Sequence, residues 1–362
     1  MQLKKLLLIN FKNIHQAEIM LSEGVNCFVG DNGAGKTNIL DAIYYLSMSK
    51  SAFNMSDGQS VSHGEDFFVA EGSYLSDGQR VELVNCSFSK RGGKIIKRNG
   101  KEYDRIADHV GNFPVVIVSP RDSDLITDAA EERRRYLNGF ISQLDKVYLQ
   151  AMMRYNAVLA ERNTFLKKSS DEAMLQIYDM QLNEHGTVVY ESRRKTIEKM
   201  LPLVKEYYSL LSEDRECVDI QYRSDLGQAS LSDILLRSRE RDLVSQFTTS
   251  GVHRDDLVFT IGDYPLRKYG SQGQQKSFLI ALKLAQYRLL AEHTGEKPIL
   301  LLDDLFDKLD MRRVERLLRL VSGDDFGQIC ITDCNKVRLE TTLKNAGQHY
   351  ALFTVESGEV KS

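Results

Sequence analysis

The sequence predicts an α/β fold: a mixed sheet, β-rich toward the N-terminus, interrupted by an inserted helical subdomain. Three observations carry that expectation. Short apolar runs with the texture of buried strands recur at Val25–Val29, Pro114–Val118, Ile299–Leu302, Ile329–Thr332 and Tyr350–Val355. Between about Asp122 and Arg241 proline is reduced to Pro202 alone, and apolar residues fall at helical spacing, as in Tyr136, Leu137, Phe140, Ile141 and Leu144. A glycine-rich segment, Gly30 to Thr37, joins one predicted strand to one predicted helix. The resulting division is 1–121 for the first part of the α/β body, 122–245 for the helical insert, and 246–362 for the second part of the body.

Each element follows in order. The start, MQLKKLLLINFKNI, holds an apolar run of four, Leu6–Ile9, too short for a secretory leader, and reads as the first strand of a cytosolic protein. From Phe67 to Ser89 apolar residues alternate with polar ones (Phe68, Ala70, Val81, Leu83) about a turn at Ser76-Asp77-Gly78. A basic hairpin follows over Lys90–Lys101, with turn signals at Gly92-Gly93 and Asn99-Gly100. No heptad persists in the helical stretch, so a compact subdomain is expected rather than a coiled coil. Strand texture returns at Leu257–Ile261 and continues in a βαβ rhythm to the end.

Composition narrows the classes. Hydrophobic residues make 42% and charged residues 27%, the balance of a globular chain, and no apolar stretch nears the roughly 20 residues of a membrane span, so no membrane partner is expected. The five cysteines (27, 86, 217, 330, 334) form no CxxC pair and read as reduced, buried thiols. A net charge of −3 means that any polyanion site must be a local patch. Candidates are Lys90, Arg91, Lys94, Lys97, Arg98 and Lys101 in the hairpin, then Arg133-Arg134-Arg135 and Arg193-Arg194-Lys195 in the insert. By charge alone these are solvated faces first.

The chemistry concentrates in two places. Gly30-Asp31-Asn32-Gly33-Ala34-Gly35-Lys36-Thr37 fits G-x-x-x-x-G-K-[ST] in full, ahead of a helix with Ile39, Leu40, Ile43 and Leu46 on its apolar face. Glycines let backbone N–H groups curl round phosphate oxygens, and the helix N-terminus favours negative charge. Lys36 is expected on the β- and γ-phosphates, and the Thr37 hydroxyl on Mg²⁺. Pro298 to Leu302 then delivers Asp303 and Asp304 at the C-terminal edge of a buried strand, where open α/β sheets hold ligands. Asp303 would hold Mg²⁺ directly or through water, and Asp304 could orient or deprotonate an attacking water. ATP and Mg²⁺ are therefore the expected ligands.

A third stretch, YGSQGQQKSFLIALKLAQYRLL from Tyr269, opens a predicted amphipathic helix carrying Phe278, Leu282, Ala285 and Leu289. Ser271 and Gln274 form a capping box, S-x-x-Q, which explains them locally. It does not explain Gly273, which weakens a first turn, and an anion site at this helix start fits the same residues.

Loop, long insertion, S-x-G-Q helix and Asp strand, in that order, resemble the ABC-type ATPase heads. Asn10-Phe11-Lys12-Asn13, GDNGAGKTN with Asn38 at its end, Ser119-Pro120-Arg121-Asp122 and Arg133–Arg135 narrow the resemblance. So do Gly251-Val252-His253-Arg254-Asp255-Asp256, YGSQGQQKS and LLLDDLFDKLD. With these the chain is similar from end to end to the RecF family, the DNA-repair group related to SMC and Rad50 heads. The resemblance implies that Ser271, Gly273 and Gln274 contact the γ-phosphate of ATP held by a second copy, making an ATP-dependent homodimer. It implies that Lys12, Asn13 and Asn38 touch the nucleotide, that Asp122 takes the place of the Q-loop, and that Asp310 matches the D-loop. It further implies slow ATP hydrolysis, contact of some basic residues with DNA near single-strand/duplex junctions without sequence readout, and partnership with RecR and RecO in recombinational repair. Three positions depart from the pattern: Asp307 stands where D-loops often carry serine, Lys276 replaces an arginine, and Thr332 or Asp333 stands where transporters have a switch histidine. A transporter ATPase subunit would call for a short insert between Lys36 and Ser271, and an SMC- or Rad50-like structural ATPase for a long coiled coil.

Overall fold

The computed structural model describes residues 1–53, 56–76, 80–212, 216–304, 311–345 and 349–361. The expected turn residues Asp77 and Gly78, and the D-loop positions Asp307 and Asp310, lie outside them. Two compact units emerge: Met1–Asp122 with Leu210–Glu213 and Gln272–Ser362, and Ser123–Ser209 with Asp214–Ser271.

The first unit carries two six-stranded sheets. One is antiparallel: β1 (Gln2–Phe11), β2 (Ile14–Met20), β4 (Phe67–Leu75), β5 (Val81–Ser89), β6 (Gly93–Arg98) and β7 (Lys101–Glu102), in the order β2-β1-β4-β5-β6-β7. The other joins β3 (Val25–Val29), β8 (Val115–Val118), β12 (Ile299–Leu302), β13 (Ile329–Asp333), β14 (Tyr350–Glu356) and β15 (Glu359–Lys361), in the order β15-β14-β3-β13-β12-β8. Its strands are parallel except for the β14–β15 hairpin. Residues of β3, β8, β12 and β13 are buried throughout, which accounts for apolar runs without alternation. Helix α1 (Lys36–Met48) packs its Tyr45 edge-on to Phe11 and Phe68 of the antiparallel sheet, at ring distances of 6.0 and 5.2 Å.

Register aligns the functional ends. Leu302 pairs with Val118 and with Ile331, and Asp333 pairs with Val29, so the segments after β3, β8, β12 and β13 leave the sheet along one edge. Helix α8 (Gln272–Thr294) departs from the amphipathic expectation: from Ser277 to Tyr287 every residue is buried. A helix enclosed on all sides is a core element, so Lys283 and Gln286 are interior polar groups rather than a solvent face. Helices α9 (Met311–Val321) and α10 (Lys336–Asn345) complete the unit.

The second unit is mainly helical, with α2 (Asp124–Thr127), α3 (Ala130–Leu144), α4 (Lys146–Leu166), most of α5 (Glu172–Ser212), α6 (Leu231–Ser245) and α7 (Leu266–Tyr269). A small antiparallel sheet, β11-β10-β9, comprises β9 (Val218–Arg223), β10 (Asp256–Ile261) and β11 (Tyr264–Pro265). Two fully buried arginines organise its core. Arg162 reaches Asp179, Asp242 and Thr248 at 2.8–2.9 Å, and Arg193 reaches Asp255 and the Val252 carbonyl at 2.8 Å. Burying a guanidinium is tolerable when carboxylates match its charge, as here, although Arg162 Nη2 is left without a partner among the described residues. Arg193, expected on a basic face, is thus interior. Among the described residues no helix is long and apolar enough to cross a membrane, and the five cysteines are free, with Cys27, Cys86 and Cys330 buried and Cys217 and Cys334 exposed.

Candidate functional site

The loop between β3 and α1 is shaped by its glycines. A Cβ on Gly30 would lie 2.1 Å from the Val355 carbonyl oxygen of β14, so the loop leaves the sheet where no side chain fits. Gly35, with φ 118°, sits at the N-cap of α1, and a Cβ there would come within 2.9 Å of Asn13 Oδ1. Asn13 in turn donates from Nδ2 to the carbonyls of Gly33 and Ala34 and accepts from Asn38 Nδ2 at 2.8 Å. Three residues of the sequence reading, Asn13, Gly35 and Asn38, therefore form one brace across the loop. Lys36 Nζ donates to the carbonyls of Gly30 and Asp31 at 2.7 and 2.8 Å, which places the ammonium over the loop.

Asp303 is the centre of the site. It is buried after β12, and its Oδ1 accepts from Thr37 Oγ1 at 2.8 Å and from Thr332 Oγ1 at 2.7 Å. Sheet order explains the trio, because β13, carrying Thr332, lies between β3 and β12. Burial pushes the Asp303 carboxyl up from its ordinary range, the two hydroxyls pull it back, and the neighbouring Asp304 adds to the rise. Asp304 has a left-handed backbone, φ 46°, and its N–H donates to Thr332 Oγ1 at 2.9 Å. Of the two residues left open at the end of β13, Thr332 joins the site, while the Asp333 carboxylate is engaged by Asn335 N and Arg338. A cleft of about 190 Å³ is lined by the loop with Thr37, Asp303, Asp304 and Thr332. One carboxylate and one hydroxyl are hard oxygen donors of the kind Mg²⁺ takes together with waters and ligand phosphates, so Thr37 and Asp303 fit that ion. Among the described residues no cluster of three or more His, Cys, Asp or Glu offers an all-protein metal cage.

A second cleft, of about 590 Å³, shares Thr37, Asn38 and Asp303 and extends past Lys12, Phe53 and Arg121. Its wall is built from α1. Buried Asp41 holds Lys12 at 2.6 Å and accepts from Ser51 Oγ and Ala52 N, fixing the turn that presents Phe53. Lys12 and Arg121 each lie 5.4 Å from the Phe53 ring centre. Asp122 is tied elsewhere: Oδ2 accepts from Ser119 N and Oδ1 pairs with the buried Lys283 of α8, both within 2.8 Å. Asp41, Phe53 and Lys283 were not singled out from the sequence. Their roles depend on partners distant in the chain, and no local motif marks them.

At the head of α8, Gly273 and Gln274 line neither cleft. Gly273 instead leaves room for a guanidinium, since a Cβ would stand 2.4 Å from Arg313 Nη1. Ser271 immediately precedes the helix. The basic candidates divide by their partners. Lys94 pairs with Asp57 at 2.8 Å, Arg98 with Glu82, and Lys90 with Asp66 at 3.3 Å. Arg91, Lys97 and Lys101 are exposed and hold no ion pair among the described residues. Arg133 grips Asp256 with both arms of its fork, Arg134 donates to the Asp255 carbonyl, and Arg135 pairs with Glu131 and Glu132. His253 completes this region within the second unit: its Nε2 donates to the Thr248 carbonyl at 3.0 Å, so Nδ1 accepts from the Tyr155 hydroxyl at 2.8 Å.

Comparison with known proteins gives one consistent result. The profile of the RecF/RecN/SMC N-terminal domain matches residues 2–361. The "DNA replication and repair protein RecF" of Parabacteroides distasonis is 48% identical over 362 residues, covering 100% of this chain and 99% of the relative. A solved structure of the "recombination mediator protein RecF-ATP in RecFOR pathway" superposes with a TM-score of 0.89 at 31% identity, covering 99% of this chain and 96% of the other. An Smc head bound to the C-terminal winged-helix domain of ScpA, at 15% identity and a TM-score of 0.56, shares the fold alone.

Proposed function

The chain belongs to the RecF/RecN/SMC N-terminal domain family, in its RecF branch, and on that footing we propose that it is an ATP-gated DNA clamp of replication and repair. The observation that carries the reading is the contact of Thr37 and Thr332 with Asp303 beside the glycine loop, because it joins three separate segments around one phosphate-sized cleft. Loop N–H groups and Lys36 would bind the ATP phosphates. Thr37 and Asp303 would hold Mg²⁺, which supplies charge neutralisation on the β- and γ-phosphates. Asp304, presented by its left-handed turn, would orient the attacking water and take its proton.

Neither cleft includes the signature residues Gly273 and Gln274. Ser271, Gly273 and Gln274 of a second copy would close the site over the γ-phosphate, so ATP already bound by one copy would drive homodimerisation. The dimer would hold duplex DNA near a single-strand junction through Arg91, Lys97 and Lys101 of the hairpin, on phosphates and without base readout. Slow hydrolysis would release it, timing recombinase loading with RecR and RecO as partners.

Sedimentation velocity with ATP and Mg²⁺, with and without duplex, tests the gate. Wild type is expected to form a dimer, and Ser271→Arg to bind ATP normally yet remain monomeric and lose turnover at least tenfold. A wild-type protein that binds ATP and stays monomeric would remove the reading.

A further inference from the structure

The motif Gly251–Asp256 is mostly turned inward: His253 to Tyr155, Asp255 to Arg193, Asp256 to Arg133. Arg254 is the exception. It is exposed, and its guanidinium lies 5.4 Å from the Phe247 ring centre. There it lines a concavity of about 810 Å³ together with Arg237 and Arg241 of α6, two exposed residues one helical turn apart and so on the same face. We propose that Arg237, Arg241 and Arg254 form a seat for the phosphate backbone of duplex DNA in the second unit. The proposal rests on the DNA-binding reading above and adds to it a site separate from the hairpin.

Partner chemistry supports the assignment. Several arginines of this unit are matched to carboxylates, Arg133 to Asp256, Arg162 to Asp179 and Asp242, Arg194 to Glu191 and Glu198, Arg239 to Asp179, whereas Arg223 meets the neutral Gln221. The three cleft arginines hold no carboxylate among the described residues. Arg241 is positioned by neutral groups, Nε to Thr249 Oγ1 and Nη2 to Ser250 Oγ, both at 2.8 Å. Hydroxyls and an aromatic ring fix the direction of a guanidinium while leaving its charge uncancelled, which suits a forked donor meant for an external phosphate.

The lining decides between partner classes. Ser224, Gln228 and Ser250 add small polar groups, Asp225 is the one carboxylate among the lining residues, and Ala229 and Ile234 are the only apolar ones. Three positive charges against one negative leave a local excess of two in a chain whose net charge is −3. A protein-docking centre would present apolar or aromatic anchors. A cationic concavity whose lining is polar apart from Ala229 and Ile234 matches a sugar–phosphate strand, with Phe247 engaged by Arg254 at its edge.

The test is the salt dependence of duplex binding, by fluorescence anisotropy with ATP and Mg²⁺, across about 50–200 mM NaCl. The variants are Arg237→Gln/Arg241→Gln/Arg254→Gln and, separately, Arg91→Gln/Lys97→Gln/Lys101→Gln. Each phosphate contact contributes about 0.9 to the log–log slope. The cleft variant is expected to lose about two to three units of slope per bound protomer, with ATP affinity unchanged. A cleft variant that keeps the wild-type slope overturns the seat and assigns the arginines to an acidic protein surface, while the hairpin variant then reports whether DNA binding itself stands. Wild type without salt-dependent duplex binding removes both readings. Should the triple variant fold poorly, Arg237→Gln alone, at an exposed position, is expected to lower the slope by about one, and an unchanged slope is equally decisive.

Discussion

Asp303 shows how one residue carries opposed demands. The proposed function would ask for an ionised carboxylate beside the phosphates, yet the parallel sheet delivers it into a buried position with Asp304 next in the chain. Its pKa is therefore raised in the folded protein, chiefly by burial. A carboxyl whose folded pKa exceeds its unfolded value binds its proton more tightly when folded. Ionised Asp303 thus lowers stability at neutral pH, and that loss fades as pH falls through its folded pKa. Asp303→Asn keeps an acceptor for Thr37 and Thr332 and removes the charge. It is expected to abolish turnover while raising stability by about 1 kcal/mol at pH 7–8. Urea unfolding of both proteins from pH 8 to pH 4 checks this, with the two curves converging on the acid side. A variant less stable than wild type at pH 8 would contradict the account.

At the scale of elements, the segment from α6 to β10 is a turn fastened by buried polar groups rather than by apolar area. Thr248 bonds Arg162 and Asn163, Thr249 bonds Asp242, and His253 spans Thr248 and Tyr155. Burial holds His253 down to about 4, against an ordinary 6.5, and the nearby Arg254 and Arg134 charges act in the same direction. A histidine with a depressed folded pKa is neutral in the fold while the unfolded chain takes up its proton. Stability from this group is therefore present above about 6.5 and is lost as pH falls from there toward 4. His253→Asn, which cannot titrate and retains a donor and an acceptor, is expected to flatten the fall of the unfolding midpoint between those limits. An equally steep fall in the variant would place the acid sensitivity elsewhere. The sequence singled out this motif but not what its residues touch, because Tyr155 and Arg193 lie far away in the chain. The strands were legible for the opposite reason. Ile299–Leu302 and Val25–Val29 announce themselves as uninterrupted apolar runs, and the observed strands coincide with them. Helix α8 was misread as amphipathic because Lys283 and Gln286 look like a solvent face until Asp122 and the sheet enclose them.

For the whole molecule, charge sets the terms on which DNA can be held. With a net charge of −3 the chain has no long-range pull on a polyanion, and any contact would have to come from a local cluster such as the proposed Arg91, Lys97 and Lys101 or the arginines of α6. A single copy offers only a handful of phosphate contacts, and binding that weak collapses at physiological salt. Two copies double the contacts on one duplex, and the second set acts at high effective concentration once the first has landed. Gating by dimerisation therefore makes a prediction that simple ATP binding does not: nucleotide state should change the salt slope as well as the affinity. With ATP and Mg²⁺ under conditions of slow turnover, the slope is expected to approach twice its value without nucleotide, with affinity higher by at least tenfold at 100 mM NaCl. With ADP both are expected to match the nucleotide-free protein, because no γ-phosphate is present for Ser271 of the second copy to reach. Ser271→Arg should show the nucleotide-free slope even with ATP bound. Equal slopes in all three states would mean that DNA is held by single copies, and the clamp would then have no gate.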